Sequence, residues 1–136
     1  MNYSDIYLTE IYSTKDDILS SFINQFTLTP NRFGHQYDNP QNSCFDRIIG
    51  DFELIYMIGG KSHIIIQKEE YKCRPGDIIL IPPFTRHTIE SDTDDPHNQY
   101  WFHFDVHPFY LHEKFIKVII PNGKNKINIG KIDELI

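Results

Sequence analysis

The sequence predicts a mainly β domain, a sandwich or barrel of short strands with one or two short flanking helices. Three observations carry that expectation. The apolar runs, rich in isoleucine, are too short for helices. Aromatic residues make up 14% of the 136 residues, which favours strands and argues against disorder. Turn-forming clusters of Gly, Pro, Asn and Asp separate the runs at near-regular spacing. A chain of this length is most simply one domain, burying about two-thirds of its unfolded surface.

Residues 1–12 read as an arm or a first strand. Ser13 and Thr14 offer N-caps, Asp16 and Asp17 an acidic first turn, and Ile18, Leu19, Phe22, Ile23 and Phe26 fall on one helical face. An amphipathic helix is expected over residues 14–26. Residues 30–43, rich in Asn, Gln, Gly and Pro, read as a loop. Strands begin at Cys44. Residues 52–58 form one that ends at Gly59-Gly60, a two-glycine hairpin signal, and residues 63–67 return from it. Lys68-Glu69-Glu70 is a polar turn before the strand at 71–74.

Pro75-Gly76 then makes a tight turn: proline presets φ at the second position and glycine accepts a positive φ at the third. Ile78, Ile79, Leu80 and Ile81 form a strand apolar on both faces, stopped by Pro82-Pro83, which cannot donate ladder hydrogen bonds. His87 opens the next strand. Residues 92–97 are an acidic loop, 99–106 a strand and 115–120 a shorter one. Residues 122–136 are a polar connection whose end turns helical and stops without a cap, so the chain is expected to continue further. The organisation read from this is an arm, helix and loop over 1–43, a barrel over 44–120, and the start of a linker or dimerisation segment over 121–136.

The net charge of −6 is unsuited to gripping a phosphate backbone, so any action on DNA belongs to another part of the protein. Cys44 and Cys73 have no metal-ligand spacing, and the Met1-Asn-Tyr-Ser start has no signal-peptide pattern. Reduced thiols and a cytoplasmic location follow as expectations. No apolar run reaches the roughly 20 residues that a membrane span needs. No Ser-His-Asp ordering, phosphate-cradling glycine loop or zinc cysteine set occurs.

Along the strand over 99–106, Gln99, Trp101, His103 and Asp105 share one face, and Tyr100, Phe102 and Phe104 share the other. The first set joins an aromatic plate to hydrogen-bonding groups, which suits a sugar or another small polar ligand. His97, His107 and His112 lie in or near loops and read as surface histidines. Glu53 reads as a solvated or paired strand carboxylate.

Gly76, Pro82 and His87 are spaced as in the second cupin motif, with Phe84 where that motif has glycine. The wider run from Arg74 to His87, with Tyr100-Trp-Phe-His-Phe104, resembles the sugar-binding and dimerisation domain of AraC-type transcription regulators over about residues 47–104. The resemblance implies a cupin-like double-stranded β-helix, a jelly-roll barrel. It also implies a small-molecule effector, of carbohydrate type, inside the barrel and a homodimer. DNA is then bound through a C-terminal helix-turn-helix domain not in this chain. Trp101 matches the tryptophan that stacks on the sugar and Arg47 the arginine that contacts it; His87, Gln99 and His103 complete the implied ligand set. Where the arabinose-binding member has a tyrosine and a histidine, this chain has Ile89 and Gln99, so arabinose itself is not implied.

The alternative is a stand-alone cupin enzyme, a metal-dependent isomerase or oxygenase. Its first motif needs a His-x-His pair, whose places fall on residues such as Arg47 and Ile49. That leaves Glu53 and His87 as metal candidates, and two ligands hold a divalent ion poorly. No catalytic residue and no cofactor is expected. A third possibility is a metal-free cupin serving only protein association.

Overall fold

The computed structural model describes residues 24–37, 43–120 and 123–130. The strands are β1 (Thr27–Gln36), β2 (Cys44–Arg47), β3 (Phe52–Gly59), β4 (Ser62–Ile66), β5 (Glu69–Cys73), β6 (Asp77–Ile81), β7 (His87–Ser91), β8 (Asn98–His107) and β9 (Lys126–Asn128). A 3₁₀ turn (Phe109–Leu111) leads into helix α1 (His112–Ile119). Two antiparallel sheets result, ordered β1-β8-β3-β6-β9 and β2-β7-β4-β5. From β3 to β8 the chain crosses between the sheets four times, with β4 and β5 a hairpin in one of them, which is the jelly-roll arrangement of a cupin barrel.

The two sheets close on a core of Ile55, Met57, Ile64, Ile66, Tyr71, Cys73, Ile79, Ile81 and Ile89. These are alternate residues of each strand, as period-2 patterning requires. A second cluster covers the opposite face of the five-stranded sheet: Phe52, Leu80, Val106, Phe115 and Ile120, with Ile116 and Ile119 of α1 packed against it. β3 and β6 are therefore enclosed on both sides, and Ile79, Leu80 and Ile81 are all fully buried, as their unbroken apolar run predicts.

The turn before β6 is also as expected. Gly76 has φ +92, and the Asp77 amide donates to the Arg74 carbonyl at 3.1 Å. A Cβ on Gly76 would lie 2.8 Å from the Gly130 carbonyl oxygen. Buried Asp77 clamps this corner: its carboxylate accepts from the Arg74 amide at 2.8 Å and from Asn128 Nδ2 at 2.8 Å, with Lys126 Nζ 3.4 Å away.

Five expectations need correction. Residues 30–36 are not loop but most of β1, which pairs with β8 along its length; Pro30 sits at a register shift, the place where an edge strand tolerates it. Gly59-Gly60 does not close a hairpin, because β3 and β4 belong to different sheets. It is a crossover, tied to the acidic loop by Lys61 N–H to Asp95 O at 2.9 Å. Residues 115–119 are helix, not strand: Phe115, Ile116 and Ile119 share one helical face, and that face covers Phe52. The polar connection includes β9, which extends β6 at the sheet edge. His97 is fully buried, its Nδ1 3.2 Å from Ser62 Oγ, and His112 begins α1 with Nε2 donating to the Val106 carbonyl at 2.7 Å; only His107 is exposed. The arm at 1–12 lies outside the described residues, as do the helix expected over 14–26, apart from its last three positions, and the final six residues.

Candidate functional site

β8 lies between β1 and β3, and the two registers generate three rows across the inner face. Arg32, His103 and Glu53 form one row, Gly34, Trp101 and Ile55 the next, and Gln36, Gln99 and Met57 the third. Partners on neighbouring strands share a face. The alternation along β8 thus carries over to β1. Opposite this floor stand β2 and β7, with Arg47 paired to His87 and Cys44 to Ile89. Between the walls is a cavity of about 320 Å³. Arg32, Gln36, Arg47, Gln99, Trp101 and His103 supply its polar lining.

The base of the cavity is an ionic network. Arg47 donates from Nη2 to Glu53 Oε2 at 2.6 Å and from Nε to His87 Nε2 at 3.1 Å. His87 Nδ1 lies 2.8 Å from the Thr85 carbonyl, to which it donates. His87 is thus a neutral ring with both nitrogens engaged, and burial, reinforced by the Arg47 charge, holds its pKa below the usual histidine value. His103 is the reverse. Its Nε2 is 3.5 Å from Glu53 Oε1 and its Nδ1 3.0 Å from Asp51 Oδ1. Hydrogen bonding to Glu53 raises its pKa; burial opposes this, and Asp51 adds to the rise. For Asp51, burial pushes the carboxyl pKa upward, but hydrogen bonds from His103 and Asn31 outweigh it and hold the pKa below normal.

Arg47, Gln99, Trp101 and His103 therefore come together on the cavity wall, while His87 stands beneath Arg47 and holds it in place. The candidate metal donors Glu53 and His87 lie 3.7 Å apart, and both are engaged by the Arg47 guanidinium. Among the described residues no group of three His, Cys, Asp or Glu side chains has metal-binding geometry.

Trp101 leans across Gly34, where an added Cβ would meet the indole at 2.3 Å. Its Nε1 and the Gln99 Oε1 are buried without a hydrogen-bond partner among the described residues. The Gln99 amide nitrogen is 3.1 Å from Gln36 Oε1. Cys44 is on the wall, its thiol pKa pushed up by burial, and Cys73 is a core residue with its thiol pushed up to about 12. Sequence reasoning missed Arg32, Gly34 and Gln36, although their period-2 spacing within residues 30–36 was a usable strand signal.

Residues 29–113 match the model of the AraC-like ligand-binding domain. The chain belongs to that family. An uncharacterized HTH-type transcriptional regulator of Bacillus subtilis, YisR, is 30% identical over 63 residues. That match covers 46% of this chain and 22% of the regulator, so the chain spans about a fifth of its relative's length. Among solved structures, a cupin protein from Bacteroides fragilis is 22% identical, with a TM-score of 0.41 over 59% of this chain and 62% of its own. A Cupin 2 conserved barrel domain protein from Salinispora arenicola is 16% identical, with a TM-score of 0.43 over 64% and 83%. No helix among the described residues is long and apolar enough to cross a membrane.

Proposed function

We propose that this domain is the effector sensor of an AraC-type transcription regulator, binding a small hydroxyl-rich metabolite, sugar or sugar-like, in the cavity between β8 and β2. The observation that carries the reading is a pair of unpartnered buried atoms on two side chains that line the cavity, a donor at Trp101 Nε1 and an acceptor at Gln99 Oε1. A buried polar atom left unpaired costs about 1–3 kcal/mol, and an alcohol satisfies both kinds at once, accepting from N–H and donating to C=O. The cavity volume is at the small end of the range of about 300–1,000 Å³ usual for ligand sites and suits a monosaccharide-sized molecule.

In this reading Trp101, Gln99, His103 and Arg47 touch the effector and His87 acts through Arg47. The domain binds and does not catalyse, because Arg47 occupies the donors that a metal-dependent reaction would use. Effector binding changes DNA binding by a separate basic helix-turn-helix domain in the cytoplasm, which requires different affinities in the two states. Homodimerisation, carried over from the family resemblance, is part of the same proposal. Sedimentation velocity tests it, and a monomer throughout the micromolar range would remove it.

The chain contains one tryptophan, so its fluorescence reports Trp101 alone. Titration with a panel of monosaccharides and their derivatives should give a saturable change that Gln99→Leu abolishes. A folded protein that responds to none of them would refute the effector reading.

A further inference from the structure

The charges around the cavity are not balanced like those of the whole chain. Its lining holds two guanidiniums, Arg32 and Arg47, and the imidazole of His103, against one carboxylate, Glu53, in a protein of net charge −6. Glu53 is already committed on both oxygens, to Arg47 at 2.6 Å and His103 at 3.5 Å. Two more carboxylates lie close by: Asp51, engaged by His103 and Asn31, and Asp105, which accepts from the same Asn31 amide. Arg32 makes no ion pair with any described residue; the other carboxylates in the described ion pairs, Asp46, Glu70 and Asp77, belong to Arg86, His63 and Lys126. It is the cross-strand neighbour of His103 on the inner face, at the edge strand where the cavity meets solvent.

We propose that the effector carries a carboxylate, seated on Arg32 at the cavity rim, with its hydroxyl end held by Trp101 Nε1 and Gln99 Oε1. The ligand class is a hydroxy acid of monosaccharide size, such as an aldonic or uronic acid, and not the neutral sugar. A planar guanidinium takes a carboxylate by two parallel N–H donors, a geometry unavailable with a lone hydroxyl. The Arg47 guanidinium offsets the charge of Glu53, bonded to one of its oxygens at 2.6 Å, while His103 lies 3.5 Å from the other. The proposal rests on the cavity being the effector site.

Matched pairs separate the two claims. The intact chain is titrated with D-glucose against D-gluconate and D-glucuronate, and with D-galactose against D-galacturonate, reading Trp101 fluorescence. The expected result is saturation by an acid with affinity about tenfold or more above that of its neutral parent. Arg32→Gln should erase that preference while leaving the weaker neutral binding in place. Arg32→Lys, which keeps the charge and loses the fork, should retain part of it. Neutral sugars binding as tightly as their acids, or an acid preference that survives Arg32→Gln, would overturn the carboxylate and leave the effector reading intact. Saturation by neither class would overturn both.

Discussion

His87 and His103 both lie within 4 Å of Glu53, yet their environments shift their pKa values in opposite directions. That contrast makes stability depend on pH in both directions. His87 refuses a proton that the unfolded chain accepts, so its contribution is lost as pH falls below the unfolded histidine value of 6.5. His103 keeps a proton that the unfolded chain releases, so its contribution is present below 6.5 and lost as pH rises through the higher folded value. Asp51, with its pKa lowered, adds to the loss in strong acid. Urea unfolding between about pH 5 and pH 8.5 should show a maximum near the middle, and His103→Gln should flatten the alkaline limb. An unchanged alkaline limb would mean that His103 is not the group involved. Arg47→Met leaves Glu53 with His103 alone and should destabilise the fold by about 1–3 kcal/mol in the same assay. At Phe84 the backbone is left-handed, φ +58, where the cupin motif has glycine. A non-glycine residue pays about 1–2 kcal/mol there, partly offset by glycine's greater unfolded entropy, so Phe84→Gly should stabilise by up to about 1 kcal/mol.

At the level of elements, β1 completes one edge of the five-stranded sheet and α1 covers its outer face. β1 brings Arg32, Gly34 and Gln36 to the cavity, and Gly34 is the place where the strand yields to Trp101. Gly34→Ala puts a methyl group 2.3 Å from an indole carbon, so the ring must move. Such overpacking costs about 1–3 kcal/mol. The expected readout is a shifted Trp101 emission together with loss of effector binding; an unchanged spectrum would show that the indole does not rest there. On the other side, Phe115 of α1 packs edge-on against Phe52 at 5.2 Å between ring centroids, and against Phe26 and Phe104. Phe115→Ala should cost about 3–5 kcal/mol and be visible as a large fall in Tm. The cavity faces the other side of the sheet, so residual folded protein should still bind.

For the whole molecule, the cavity lies between two sheets that must stay together for the site to exist. β3 and β8 supply the floor in one sheet, β2 and β7 the facing wall in the other. Occupying the cavity therefore stabilises the folded domain as a unit. At about 100 times the Kd a single-site effector adds about 2.7 kcal/mol, which should raise Tm by several degrees in calorimetry. A Tm unaffected by a compound that quenches Trp101 would mean that the quenching does not come from specific binding to the folded domain. The Asp77 corner belongs to this scale too, since it ties β9 to the turn before β6 through Asn128 and Lys126.

Much of this was written into local sequence. Period-2 alternation identifies the cavity face of β8, the Pro75-Gly76 turn and the isoleucine run define β6 as doubly buried, and the motif from Gly76 to His87 carries the family. These are short-range properties, set by side-chain alternation and by the φ that proline and glycine allow. The misread elements depend on long-range partners. β1 contains Pro30, Gly34 and two Asn or Gln residues and is a strand only because β8 offers it a ladder. Residues 115–119 become helix because Phe52 and Phe104 present an apolar face for them to cover, and β3 and β4 separate because each finds its neighbours in a different sheet. The same holds for charge: nothing local to His87 and His103 sets their opposite pKa shifts, or commits Arg47 to Glu53 and leaves Arg32 without an ion pair among the described residues. Burial and Coulomb interactions act between side chains that only the closed sandwich brings within a few ångströms.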